Sequence, residues 1–263
     1  MRIIVCVKQV VDLDQVRMNR ETKEPVVKGL PMIVGQLEKH ALEEATKLKE
    51  SGQQIELVVL SAGTELADDV ILETLARGAD KSAAIVDKAL GSASAQGIAA
   101  VLAAAIKKIG GADVIMVGEG STDDNSGQIG SSIAQILGLP FIPYARTFAV
   151  NGNKIKVTQS FEDYFETVES ATPAIVTITS EINEPRIPAI TEVMDAAMKP
   201  QDTWTISDIG LSADELKKFP AVKLISNKYP EQSRKGIMLK EDSMDKTVEE
   251  LIKKLQAEGV LEK

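Results

Sequence analysis

A chain of 263 residues, 44% hydrophobic and 26% charged, is long enough to bury a full α/β core. Its 39 acidic against 30 basic residues argue against a surface made for nucleic acid or for anionic membranes. The single cysteine, Cys6, excludes a disulfide framework and any multi-cysteine metal site and suits the reducing cytoplasm; no apolar run approaches a membrane span or a signal-peptide core.

With aromatic residues at 3%, the core has to be built from Ala, Val, Ile and Leu, as in buried parallel strands. The first strand is read over Arg2 to Val7. A polar stretch from Val16 to Gly29, with Pro25 inside it, reads as a hairpin inserted at the sheet edge. Leu37, Ala41, Ala45 and Leu48 then follow a helical period, and Ile55 to Leu60 forms the second strand. A helix through Leu66, Val70, Ile71 and Leu75 leads to a weaker strand, Ser82 to Val86. The stripe from Ile98 to Ile109 is the clearest helix. It precedes a fourth strand, Ala112 to Val117, and a helix through Ile129, Ile133, Ile136 and Leu137.

Beyond Leu139-Pro140 the pattern turns to hairpins. Thr147 to Val150 and Lys154 to Ser160 flank the turn Asn151-Gly152-Asn153, and Tyr164 to Val168 and Ala174 to Thr179 continue as strands. After Pro200 regular alternation stops. Pro220 and Pro230 punctuate an irregular segment that ends in an amphipathic helix through Val248, Leu251, Ile252 and Leu255. The expectation is an α/β fold, an open parallel sheet with helices on both faces and extra hairpins over residues 1–200. Residues 201–263 are expected to form an extended C-terminal arm that packs either on a partner or around its own domain.

The chemistry is narrower. No GxGxxG follows the first strand, where Lys8-Gln9-Val10 stands instead, and there is no Walker A motif. His40, the one histidine, falls in the first helix and reads as solvated or partner-facing. No residue is expected to act as catalytic acid, base or nucleophile. The fourth strand, however, runs straight into Gly118-Glu119-Gly120-Ser121-Thr122-Asp123-Asp124-Asn125-Ser126-Gly127-Gln128 and then a helix. Small residues there let backbone approach a ligand, and the opening N–H groups of the helix favour an anion such as a pyrophosphate. Asp123 and Asp124 would repel a phosphate, so they are expected to bind ribose hydroxyls, cap the helix or fix the loop. Ser61 to Thr64 would border the same crevice and Cys6 and Val7 would floor it. The segment Asn183-Glu184-Pro185-Arg186-Ile187-Pro188 and the apolar run after it read as a linker or a docking loop.

Together these pieces resemble the β subunit of the electron transfer flavoproteins over essentially the whole chain. The resemblance is carried by MRIIVCVKQVVD, GLPMIVGQLEKHALEEATKLKE, LARGADKSAAIV, GEGSTDDNSGQIG and, most specifically, NEPRIPAITEVM. It implies an adenine nucleotide alpha hydrolase-like sheet and a larger α subunit as partner, on which the C-terminal arm packs. That subunit carries most contacts to a redox-active FAD shared between the two. Electrons would pass between a flavin dehydrogenase of the acyl-CoA dehydrogenase type and another redox partner.

By the same resemblance a second nucleotide lies in this subunit. It is a structural AMP in simpler members and a second FAD, reducible by NADH, in electron-bifurcating ones. Carried over by position, its contacts would be Cys6, Gly35, Gln36, Leu37, Glu38, Ala62, Gly120, Ser121, Thr122, Asp123, Asp124, Asn125, Ser126, Gly127, Gln128, Ile129, Gly130 and Ser131. Ile190 would anchor the partner dehydrogenase, and Arg186, a fixed planar donor on the segment stiffened by Pro185 and Pro188, would belong to the same docking surface. Gly29-Leu30-Pro31, Asp87 to Gly91, and the arm with Trp204 and Asp208-Ile209-Gly210 resemble the bifurcating group. Gly35-Gln36-Leu37-Glu38 departs from the usual Asn-Pro-Asp/Glu, Gly120-Ser121 from Gln-Ala, Gly127 from a larger residue, and Ser94 from an acidic one. FAD is the expected second nucleotide, with AMP as the alternative. A reading from another class is an ATP-binding universal-stress-type protein, in which the Asn-x-Pro-Arg segment has no role. An ATP-pyrophosphatase-type ligase would need a Ser-Gly-Gly-rich loop where Lys8-Gln9-Val10 stands.

Overall fold

The aliphatic run at the N-terminus forms β1 (Arg2–Val7), and its alternation sets both faces of the sheet. Ile3, Val5 and Val7 enter one core layer, Ile4 and Cys6 the other. The computed structural model describes residues 1–220, 224–229 and 235–261. After β1 come β2 (Gln9–Val11), β3 (Arg17–Met18), β4 (Pro25–Val26), β5 (Met32–Val34), α1 (Gln36–Glu50), β6 (Glu56–Gly63), α2 (Asp68–Ala76), β7 (Lys81–Val86) and α3 (Ala95–Ile109). Then follow β8 (Val114–Gly118), α4 (Ile129–Leu137), β9 (Phe141–Asn151), β10 (Lys154–Ser160), β11 (Phe165–Ala171), β12 (Ala174–Ile178), α5 (Ile190–Ala196), β13 (Gln201–Trp204), α6 (Ala213–Leu216) and α7 (Met244–Ala257).

Nine strands make the main sheet in the order β11-β10-β9-β12-β8-β1-β6-β7-β13. The seven from β9 to β13 run parallel, and β10 and β11 add antiparallel hairpins at one edge. Ala41, Leu42 and Ala45 of α1, Val70, Ile71 and Leu75 of α2, and Ala196 of α5 cover one face. Leu102, Ala105 and Ile106 of α3, with Ile133 and Ala134 of α4, cover the other. This is the α/β sheet with helices on both faces that the alternating pattern implies. The hairpin turn is Gly152-Asn153, with Gly152 at φ +61, the left-handed conformation a two-residue turn demands.

Two elements differ from expectation. The stretch between β1 and α1 does form hairpin structure, but β3 and β4 make a ribbon of their own, and β2 pairs only with β5. Because β6 and β8 occupy both sides of β1, the chain leaving β1 finds no sheet edge to join. Past Pro200, Gln201 to Trp204 pairs with β7 as the last parallel strand, and Ile206 and Leu216 are buried in the α3 layer. Four residues reading Gln-Asp-Thr-Trp carry no apolar alternation, so nothing local announces that strand.

Residues 18–25 and 227–263 make a separate small unit. Within it the Tyr229 N–H donates to the Lys23 carbonyl at 2.9 Å, and Ser243 caps α7 by accepting from the Lys246 N–H at 3.3 Å. Pro230 lies outside the described residues. No helix among the described residues is long and apolar enough to cross a membrane.

Candidate functional site

From β1 the chain moves outward through β6 and β7, then returns across β1 to β8. The strand order therefore reverses around β1, and a crevice opens where the carboxyl ends of β1, β6 and β8 part. A cavity of about 340 Å³ occupies it. Cys6, Val7 and Lys8 come from the end of β1 and the residue after it, Ala62, Gly63 and Thr64 from the end of β6 and the residue after it, and Val117 to Ser121 from β8 and its loop. One wall is apolar, with Leu90, Ala93, Ala95, Ile98 and Leu102; the opposite wall carries Lys8, Ser121, Asp124, Ser126 and Gln128.

Close approach explains the small residues. A Cβ on Gly118 would sit 2.9 Å from the Leu37 Cβ, so this glycine lets the start of α1 press onto the end of β8. A Cβ on Gly120 would sit 2.0 Å from Asn125 Oδ1, so the loop folds back over that position. Gln128 opens α4 without a side-chain cap, leaving its first N–H groups beside the cavity.

Lys8 holds the loop. Its Nζ lies 2.7 Å from Asp123 Oδ1 and 3.5 Å from Asp124 Oδ2, and it donates to Ser121 Oγ at 3.3 Å. Asp124 also accepts from Ser121 Oγ at 2.7 Å and from the Ser126 N–H at 3.2 Å. Of the roles open to the two aspartates, the geometry shows them fixing the loop. Burial acts to raise the Asp123 carboxyl, but the bonds from Lys8, Ser121 and the Asp124 N–H, with the Lys8 charge, together outweigh it and hold the group below its usual range.

Glu38 is the unusual group. It is the third residue of α1, 4% exposed, and its Oε2 has no hydrogen-bond partner. Burial pushes its carboxyl up to about 7, against backbone hydrogen bonds and Lys8, which pull it down. Burial, helped by Glu38, pushes the Cys6 thiol up to about 12, so Cys6 contributes a small neutral floor and no nucleophile. Among the described residues no three or more His, Cys, Asp and Glu side chains gather as a metal site.

Of the residues singled out in the sequence, Cys6, Glu38, Ala62, Gly120, Ser121, Asp124, Ser126, Gly127, Gln128 and Ile129 line the cavity. Gly35, Gln36, Leu37, Thr122, Asp123, Asn125, Gly130 and Ser131 do not. Gly35 sits under the Glu38 carboxyl, and Leu37 and Asn125 pack on the glycines named above. Gly130 is a packing residue, since a Cβ there would meet Thr177 Cγ2 at 2.7 Å. Gln36, Thr122 and Ser131 are exposed. Sequence reasoning misses Lys8 and the apolar wall. Lys8 is legible as the first charge after an apolar strand, at the end where ligands bind; the wall combines α3, already explained by core packing, with Leu90 and Ala93 from the turn before it.

A second cluster lies on α1. His40 is buried, contrary to a solvated or partner-facing position: its Nδ1 is 2.9 Å from the Asn183 carbonyl, and Asn183 Nδ2 donates to the His40 carbonyl at 3.0 Å. Arg186 directs its donors inward. Its Nε and Nη2 donate to Glu43 at 2.8 and 3.0 Å, and its Nη1 and Nη2 to Glu50 at 2.5 and 2.8 Å. In a docking surface it can therefore only hold the loop, while Ile190 stands 80% exposed beside the exposed Ile187 and Met194.

Residues 27–209 match the electron transfer flavoprotein domain family. Subunit CarD of a caffeyl-CoA reductase–Etf complex from Acetobacterium woodii is 31% identical, covering 99% of this chain and all of that protein. Electron transfer flavoprotein β subunits from Clostridium acetobutylicum and Megasphaera elsdenii are each 32% identical, covering 95% and 99% of this chain and 94% and 100% of their own lengths. With a family match over most of the main sheet and full-length likeness to its β subunits, the chain belongs to the electron transfer flavoprotein family as a β subunit.

Proposed function

We propose that this β subunit pairs with an α subunit to carry electrons between a flavin dehydrogenase and a second redox partner, and that the cavity at the end of β1 holds the second nucleotide. The observation that carries the reading is the cavity itself. The uncapped start of α4 and the Ser121 and Ser126 hydroxyls suit phosphate and ribose, and the wall from Leu90 to Leu102 suits a flat ring. These residues fit an adenine nucleotide.

A bound flavin would supply the redox chemistry, accepting electron pairs from a donor such as NADH and passing electrons on. The chain's own residues bind and shield it: Lys8 keeps the loop closed over the cavity, and Cys6, Leu102 and Val117 keep water from its floor. FAD is the proposed occupant, with part of it outside the cavity for the α subunit to cover. The cavity volume, near the lower end for ligand pockets, favours AMP as the second reading. The likeness to a subunit of a caffeyl-CoA reductase complex supports a partner that acts on acyl-CoA thioesters, and a lone buried thiol suits the cytoplasm.

The test is a count of nucleotides released from the natively purified complex. Two FAD per αβ pair support the bifurcating reading, and one FAD with one AMP supports the simple carrier. No adenine nucleotide beyond the shared FAD removes the cavity assignment. Asp124→Ala with Gln128→Ala should weaken the second nucleotide about tenfold, from the lost Gln128 contact and the lost loop anchor at Asp124, at about 0.5–1.5 kcal/mol per hydrogen bond. Full retention through gel filtration would place the nucleotide elsewhere. Ile190→Ala should lower the apparent affinity for the partner dehydrogenase about tenfold, as for an apolar anchor, with flavin content unchanged; unaltered transfer kinetics would remove Ile190 from the docking surface.

A further inference from the structure

Glu38 has no use in a cavity whose only task is to shelter an anionic nucleotide, yet it is buried there at 4% exposure. Its Oε2 is shut off from solvent without a partner, and a Cβ on Gly35 would lie 2.0 Å from that atom, so the carboxyl is pressed onto the start of α1. The ionisable groups around it come from two places. From β1 come Cys6, a neutral thiol, and Lys8. From the loop after β8 come Glu119, Asp123 and Asp124. Lys8, the one cation among them, is already shared by Asp123, Asp124 and Ser121. The lining residues from β6 and from Leu90 to Leu102 carry no charge. A carboxylate in this setting has no counter-ion of its own, and a phosphate entering the same cavity adds a second negative charge beside it.

We propose that Glu38 carries a proton whenever the cavity holds a nucleotide, so that nucleotide binding takes up a proton and occupancy is coupled to pH through this one side chain. The proposal rests on the reading of the cavity as a nucleotide site. The sign follows from linkage. The proton is already largely in place below the value of about 7 that burial gives the empty site, and has to be taken from solution above it, so affinity falls as pH rises. A neutral carboxyl is also a donor, able to offer its O–H to a ribose or base acceptor that a carboxylate would repel.

The experiment is calorimetric titration of AMP into the αβ complex depleted of its second nucleotide. It is run at pH 8 in two buffers of different ionisation enthalpy and repeated from pH 7.5 to 8.5, where the AMP phosphate no longer titrates. The expected result is close to one proton taken up per AMP and a Kd that rises about eightfold over that unit of pH. Glu38→Gln, which keeps the shape and loses the charge, is expected to bind AMP without proton uptake, with a flat pH profile and more tightly than the wild type at pH 8.5. Wild-type binding with no proton uptake overturns the proposal while leaving the nucleotide site intact. Uptake that persists in Glu38→Gln assigns the proton to another group and overturns it as well. Absence of AMP binding at every pH in both proteins overturns the nucleotide reading, and this proposal with it. If Glu38→Gln fails to assemble, the wild-type proton count alone decides.

Discussion

Arg186→Ala is expected to destabilise the main unit by about 3–4 kcal/mol at pH 7, far more than an exposed ion pair is worth. Glu43 is 4% exposed and accepts from Arg186 Nε and Nη2; without the guanidinium its nearest cation is Lys47 Nζ at 3.7 Å. The variant therefore leaves a buried carboxylate poorly paired. The loop itself stays tethered, because Arg77 Nη1 donates at 2.6 Å to the backbone carbonyl of residue 186, which alanine retains. Burial acts to raise the Glu43 carboxyl, but the hydrogen bonds from Arg186 prevail and hold it below its usual range; Arg186 holds Glu50 low as well.

A lowered folded value means stability that is present above the ordinary carboxylate range and lost as pH falls through the lowered value. Wild type and variant should thus converge in acid. Urea unfolding at pH 7 and at pH 3 measures this. A difference under about 1 kcal/mol at pH 7 would show the clamp to be an ordinary surface pair. Arg186→Lys should recover less than half of the loss, because an ammonium cannot bridge two carboxylates as a planar fork does.

Glu38→Gln should show the opposite pH dependence. A carboxyl raised from 4.5 to about 7 on folding stabilises the fold least when ionised. In the wild type about 3 kcal/mol is lost between pH 4 and pH 8, since each tenfold change in the acidity constant on folding is worth about 1.4 kcal/mol. The neutral amide escapes that loss, so the stability of the variant relative to the wild type should rise by about that amount across the same range. Denaturation of the nucleotide-depleted protein across pH 4 to 8 is the measurement. Parallel curves for the two proteins would mean that Glu38 ionises without penalty.

These two residues show what can be read without the fold. The family resemblance implies a nucleotide contact at Glu38. Its burial is not legible, because it arises when α1 is pressed onto the end of β8 through Leu37 and Gly118, residues 81 positions apart by number. Arg186 reads as a stiff donor on a proline-flanked segment, with nothing to say that its partners lie on α1. Its bond to Glu43 spans 143 residues, as does that between His40 and Asn183. His40 looks exposed in the sequence because its helical neighbours include Glu38, Lys39, Glu43 and Glu44, and charged neighbours usually mark a solvated face. The loop from Asn183 to Arg186 covers that face and turns its charges into partners.

The parallel sheet, the helices on both faces, the hairpin around Gly152 and the glycine-rich loop after β8 are legible in the amino-acid order. Those follow from hydrophobic period and turn chemistry, which act over a few residues. Only the folded chain brings Lys8 onto the loop, sets Gln201 to Trp204 beside β7 at the sheet edge, and leaves Glu38 uncompensated in the cavity. Each is a meeting of residues far apart in the chain. Strand order and helix docking set the distance between charges, and no local pattern encodes that distance.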